Sequence, residues 1–157
     1  MTVAEPAQLR VMTSGDLPDV IALEHELFPD DPWSPEMFAD ELDQPLGARM
    51  YLVASGEKHP LAGYAGMMFV PGGTQADVLT IAVHPDCWGH GIGSLLLGTL
   101  IDEARRRGCD EVFLEVRADN DRAHGLYLRR GFTEIGVRRG YYQPSGTDAI
   151  VMRKDLR

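Results

Sequence analysis

Cysteine is scarce in this chain, with Cys87 and Cys109 the only two in 157 residues. A secreted fold stapled by disulfides is thereby excluded, and the two thiols are read as free groups of a reducing compartment. Positive charge is scarce as well. Lys and Arg number 15 against 24 Asp and Glu, and the first 60 residues hold 12 acids beside three bases. The rest of the chain carries 12 of each, so the whole formal charge of −9 belongs to the N-terminal part. That balance speaks against a broad basic face for nucleic acid, whereas a cationic small molecule or a basic peptide would be attracted. Solubility is the plainer explanation of the same excess.

Long apolar runs are missing too. The nearest, residues 95–101, is interrupted by Gly98 and Thr99 and falls far short of the roughly 20 residues that cross a bilayer. Residues 1–10 contain Glu5 and Pro6 and no basic flank before an apolar stretch, unlike an export signal. There is no internal repeat. With 44% hydrophobic and 25% charged residues, the composition is that of one ordinary globular domain over 1–157, expected in the cytoplasm and away from membranes.

The order of elements reads as mixed α/β. A short strand at 9–12 precedes a helix started by Asp16 and Pro18 and stopped by Pro29 and Pro32, and Ser34-Pro35 opens a second short helix. Two strand-like runs, 50–54 and 61–70, flank a hairpin-type turn at 56–60. Residues 78–83 form a continuous β-branched run, the pattern of a strand buried on both faces. A glycine-rich turn then leads into a helix with Ile92, Leu96, Leu100 and Ala104 at helical spacing. Arg105, Arg106 and Arg107 in its last turn read as a solvated terminus matched to the helix dipole. A strand at 112–116, a helix at 122–130 ended by Gly131, and strands at 133–137 and 149–153 complete the chain.

Three features bear on chemistry. Gly89, Gly91 and Gly93 lie between a strand and a helix, where backbone comes close to a ligand and the unpaired first-turn amides accept an anion such as pyrophosphate. The spacing lacks the third small residue of a dinucleotide fingerprint and the Gly-Lys-Ser/Thr of a P-loop. Glu115 shares a strand face with Phe113, opposite Leu114 and Val116. A carboxylate there is partly desolvated and is either a base working near neutral pH or half of a structural ion pair with Arg117 or another arginine. Tyr127, on the following helix, is a possible proton donor, although core packing is the commoner fate of such a residue. His84 and His124 are weaker candidates for a base. His84, Cys87 and His90 have ligand-like spacing, but no second Cys/His pair completes a tetrahedral shell, so no metal is expected.

Taken in order, these residues resemble the GNAT N-acetyltransferase superfamily, and within it the RimI-type ribosomal-protein-alanine N-acetyltransferases. The likeness runs through Pro32-Trp33-Ser34, Ile81-Ala82-Val83-His84-Pro85, Gly91-Ile92-Gly93, Leu114-Glu115-Val116-Arg117, Asn120, Leu126-Tyr127, Gly131-Phe132, Arg138-Arg139, Tyr141-Tyr142 and Asp148-Ala149-Ile150-Val151-Met152. It implies an α/β (α+β mixed-sheet) fold in which a mostly antiparallel sheet has a central parallel pair splayed apart, flanked by helices. It implies acetyl-CoA as cosubstrate, with Ile81, Ala82 and Val83 along its pantetheine arm and the amides of Gly89, His90, Gly91, Ile92, Gly93 and Ser94 on its pyrophosphate. By the same match Asn120 lies near the thioester, Glu115 is general base and Tyr127 general acid. A main-chain N–H of the strand ending at Val83 meets the oxyanion. Trp33, Glu115, Arg138, Tyr141 and Tyr142 surround the acceptor, here the N-terminal peptide of a basic ribosomal protein. The enzyme would act as a monomer or weak dimer. A cationic small molecule, such as a polyamine or aminoglycoside, is the second candidate acceptor, and a non-catalytic acyl-CoA-sensing module is the alternative from another class. One position departs from the motif: Trp88 stands where Gln or Arg is usual, followed by Gly89.

Overall fold

The computed structural model describes residues 7–56 and 58–157; the start of the chain, with Glu5 and Pro6, and Glu57 of the turn after residue 55 lie outside the described residues. Seven strands among them form one sheet in the order β1 (Gln8–Val11), β2 (Arg49–Ser55), β3 (Gly63–Phe69), β4 (Gln75–Val83), β5 (Glu111–Arg117), β7 (Ala149–Asp155) and β6 (Thr133–Arg138). Every neighbouring pair is antiparallel except β4 and β5. These two are parallel, joined by the crossover helix α3 (Ile92–Arg106), and they pair only from Gln75 opposite Glu111 to Val78 opposite Leu114. Beyond that point β4 continues to Val83 and β5 to Arg117 without pairing.

A bulge in β4 accompanies this parting. Thr80 faces Gly66 while Val78 faces Met67, so Leu79 is an extra residue with no partner on β3. Such an insertion bends the strand and resets its alternation. Ala76 and Val78 face the α3 side before it, and Ile81 and Val83 face that same side after it. The run 78–83 is therefore not buried on both faces, because its later half has β3 on one edge and no strand on the other. Leu79, Thr80, Ile81 and Val83 all keep partial exposure.

Two cores hold the sheet. On one face, Leu96, Leu97, Leu100, Ile101 and Ala104 of α3 bury against Met67, Val78, Val112 and Leu114. On the other face, Val20 and Leu23 of α1 (Leu17–Leu27) and Phe38 of α2 (Pro35–Leu42) cover Tyr51, Val53 and Tyr64. Ser34 caps α2 as its sequence predicts, accepting from Met37 N–H at 3.1 Å. Asp16 stands at the N-cap position of α1 as expected, but its side chain makes no cap hydrogen bond. A 3-10 turn, Ser14–Asp16, precedes that helix, and the Asp16 carboxylate instead accepts from Thr13 N–H at 2.8 Å and from Arg10. At the end of α3, Arg105 and Arg106 are exposed as expected, but Arg107 is not merely solvated. It donates to Gly47 O at 2.6 Å and lies 3.8 Å over the Phe69 ring.

Candidate active site

Where β4 and β5 part, a cavity of about 910 Å³ opens between the end of β4, the start of α3 and the start of α4 (Asp121–Arg129), with the end of α1 as its outer wall. Ile81, Ala82, Val83, Gly89, Gly91, Ile92, Gly93, Ser94 and Asn120 line it. His90 and Tyr127, grouped with them from the sequence, do not.

The turn between β4 and α3 depends on its glycines in two ways. Gly89 and Gly91 adopt φ of 81° and 80°, and nothing lies within 4 Å of where a Cβ would sit. Gly93 is helical and serves packing, since a Cβ there would meet Leu126 at 3.1 Å. Gly91 caps α3 without a side-chain acceptor, and Leu95 is the first residue whose amide bonds within the helix, to Gly91 O at 2.9 Å. The amides of Ile92, Gly93 and Ser94 are thus unpaired within the helix at a wall of the cavity, an arrangement suited to an anion. Arg130 fixes this corner by donating to Ser94 O at 2.7 Å.

Asn120 caps α4 through Oδ1, which accepts from Ala123 N–H at 3.1 Å, leaving its Nδ2 donors for the cavity it lines. Tyr127 is buried on the α3 side of the sheet, edge-on to Phe132 at 5.8 Å. Burial, with a smaller effect from nearby Tyr142, pushes its phenol well above the ordinary value, so it stays protonated at neutral pH.

Glu115 belongs to the opposite face. The alternation of β5 buries Val112, Leu114 and Val116 on the α3 side and turns Glu115 away, leaving its side chain 27% exposed. Its Oε1 is 3.5 Å from Arg138 Nε, which makes Arg138 the arginine of its ion pair; Arg117 is engaged elsewhere. Burial raises the Glu115 pKa, Arg138 lowers it, and Asp77 raises it again. Asp77 went unnoticed in the sequence. It precedes the apolar run on β4, pairs in register with Phe113, and so shares a sheet face with Glu115. An acid at the head of an otherwise apolar strand was the available signal.

The loop after β6 completes this side. Tyr141 lies 5.6 Å from the Arg138 guanidinium and stands edge-on to Tyr142 at 5.0 Å. Burial, with smaller effects from Tyr141 and Glu115, pushes the Tyr142 phenol above its ordinary value. Arg117 holds the loop down: it pairs with Asp31 and with Asp119 at 3.0 Å, donates to Thr147 Oγ1 at 3.1 Å, and lies under the Tyr142 ring. Asp31 also accepts from Ser145 N–H at 2.8 Å. Burial alone would raise the Asp31 pKa, but the Ser145 and Arg117 contacts outweigh it and hold the carboxyl low.

Trp33 is positioned by Glu24, a buried carboxylate that the sequence did not single out. Glu24 accepts from Trp33 N–H at 3.0 Å and from the Tyr64 hydroxyl at 2.5 Å. Trp33 and Leu79 share a second hollow of about 350 Å³ with Met37, Asp40, Glu41 and Arg49.

The histidines lie apart from Glu115. His124 Nε2 is 2.6 Å from Glu134 Oε1, close enough for an ion pair but out of line for a hydrogen bond. His84 stacks on His59 at 4.2 Å, and Cys87 joins them, with one ligand-type atom from each lying within 4.8 Å of the others. His59 was invisible as a neighbour in sequence, and His90 is not part of the group. The His84 Nδ1 lone pair is already used by Asp86 N–H at 3.1 Å.

The chain and its fold have counterparts among known proteins. Residues 17–132 match the family model described as Acetyltransferase (GNAT) family. The chain belongs to that acetyltransferase family. The N-alpha-acetyltransferase RimI of Mycobacterium tuberculosis is 42% identical over 155 residues, spanning 96% of this chain and 94% of that protein. The ribosomal protein bS18-alanine N-acetyltransferase of Escherichia coli K12 is 37% identical over 123 residues, 77% of this chain and 79% of its own length. Among solved structures, the ribosomal-protein-alanine N-acetyltransferase from Escherichia coli superposes with a TM-score of 0.79 at 33% identity, covering 96% of this chain and 94% of that one. Ard1 from Thermoplasma volcanium reaches a TM-score of 0.85 at 21% identity over 98% and 99% of the two chains, a likeness of fold. Membership in this family bears out the mixed α/β fold expected from the sequence.

Proposed function

We propose that the protein transfers an acetyl group from acetyl-CoA to the N-terminal α-amino group of a protein, the N-terminal alanine of a small-subunit ribosomal protein being the acceptor that its relatives' names indicate. The observation that carries this reading is a cavity at the parting of β4 and β5 that has three unpaired amides on its wall and reaches Arg117, two residues along the same strand face from Glu115. The cavity is the right scale for a cofactor site. Ile81, Ala82, Val83 and Asn120 would hold the pantetheine arm, and the α3 amides the pyrophosphate.

In this reading the acceptor enters past Trp33, Arg138, Tyr141 and Tyr142. Glu115 takes the proton of the α-ammonium, whose reference pKa of about 7.7 to 8.0 makes a modest base sufficient. The neutral amine attacks the thioester carbonyl; the new N–C bond replaces the C–S bond, Tyr127 protonates the departing thiolate, and the remaining excess proton on the new amide nitrogen leaves through water and restores the phenol. No covalent intermediate on the protein is needed. The whole chain, 1–157, acts as one catalytic domain, monomeric or weakly dimeric, in the cytoplasm; none of the described helices is long and apolar enough to cross a membrane.

Four of the twelve N-terminal acids, Asp16, Glu24, Asp31 and Glu41, are engaged by protein partners. Asp40, beside Trp33 in the second hollow, would meet a basic peptide there. The test is incubation with acetyl-CoA and either an N-terminal Ala peptide of bS18 or a polyamine, read by mass spectrometry. Acetylation of the peptide at its α-amine is expected. Acetylation of the polyamine alone would transfer the assignment to small cations.

A further inference from the structure

Trp88, the residue that breaks the glycine motif, is tied at both ends. Its indole N–H donates to Val83 O at 2.9 Å, which fixes the ring over the end of β4. The Arg122 guanidinium, from the first turn of α4, lies 3.8 Å over the ring centroid. Both side chains line the large cavity together with Gly91, Gly93 and Ser94. Arg122 forms no ion pair among the described residues, unlike Arg117 on the same wall, which is neutralised by Asp31 and Asp119. The wall also carries Glu26, Asp30, Asp119 and Asp121, so its capacity for an anion depends on the few uncommitted cations.

We infer that Arg122, held flat by Trp88, is a cofactor-binding residue that grips the diphosphate of the cosubstrate from the side opposite the α3 amides. This rests on the acetyl-CoA reading of the cavity. A guanidinium stacked on an indole loses little further freedom on binding and keeps its N–H edge free for phosphate oxygens, because cation–π contact uses the face of the group and hydrogen bonding uses its rim. Arginine on this wall thus takes over the charge that a polar side chain at position 88 would bring, and the aromatic residue becomes its support. The diphosphate is favoured over a more distant phosphate because Arg122 and the free amides border one cavity.

Calorimetry with CoA, dephospho-CoA and pantetheine tests this without turnover. Arg122→Gln is expected to weaken CoA and dephospho-CoA alike by about tenfold to a hundredfold, the range of a lost charge-assisted hydrogen bond, and to leave pantetheine unchanged. Trp88→Ala acts in the same direction, and the double variant is no weaker than the worse single one because the two residues serve one contact. Trp88→Arg in the Arg122→Gln background restores affinity. Unchanged CoA affinity in Arg122→Gln overturns the inference, as does a loss seen with CoA and absent with dephospho-CoA. Failure of the wild-type protein to bind CoA at all would instead defeat the underlying cofactor reading.

Discussion

Glu115 Oε1 lies 3.5 Å from Arg138 Nε, so the loop proposed to hold the acceptor also sets the charge state of the proposed base. Burial raises the Glu115 pKa, Asp77 adds to this, and Arg138 opposes it. A base must be deprotonated, so kcat falls as pH drops through that raised pKa. Arg138→Gln removes the opposing influence and moves the acidic limb to higher pH. The α-amine of the acceptor gives a limb of its own, but that one does not move with Arg138. A pH–rate profile identical in both proteins would count against Glu115 as the base.

Replacing Glu115 itself separates binding from chemistry. Glu115→Gln is expected to lower kcat by about a hundredfold or more, in the range for general base catalysis, while calorimetric affinity for CoA stays as in the wild type. Full turnover in this variant would remove the assignment.

Tyr127 should matter less. A thiol has a reference pKa of about 8.5, so the leaving group needs little help and Tyr127→Phe costs about tenfold in kcat, less than the loss of Glu115. Because Tyr127 is buried against Phe132, phenylalanine preserves its packing. An equal loss in the two variants would point to a structural or shared role for the tyrosine.

Arg117 and Asp31 join the segment after α1 to the loop after β6. Asp31→Asn weakens that tie without removing bulk. The expected outcome is a rise in the acceptor KM by about fivefold to tenfold with the acetyl-CoA KM unchanged, the signature of a lost uniform binding contribution. Steady-state kinetics with each substrate varied in turn checks this, and a rise confined to acetyl-CoA would place the loop at the wrong site.

Glu24 satisfies the Tyr64 hydroxyl and the Trp33 amide inside the second core. Glu24→Ala strands one buried and one part-buried donor and is expected to cost about 2 to 4 kcal/mol. Glu24→Gln keeps an acceptor and loses less. At this chain length the alanine variant should melt about 5 to 10 °C lower, readable by calorimetry, and a melting point equal to that of the wild type would show the network to be dispensable.

Much of this was legible one residue at a time. The glycine turn, the Ser34 cap, the α3 stripe of Leu96, Leu100 and Ala104 and the alternation around Glu115 are local patterns, because turn geometry, capping and amphipathic spacing each act within a few residues of chain. Asp16 and Pro18 mark the start of α1 as read, but the Asp16 carboxylate is taken by Arg10 and Thr13, which lie upstream of the helix.

The parting of β4 from β5 was not local. It accompanies a bulge at Leu79 seen against β3, so the run 78–83 reads as an ordinary buried strand until its partners are known. Partners distant in sequence likewise set the meaning of Glu115, where Arg138 and Asp77 arrive from other strands, and of Trp88, where Arg122 arrives from another helix. Residue order was enough for the kind of chemistry available, since side-chain identity and short-range backbone preference carry it. Which face each group occupies, and which charge it meets there, depended on long-range pairing, because strand register and the end of a hydrogen-bonded ladder are properties of two segments at once.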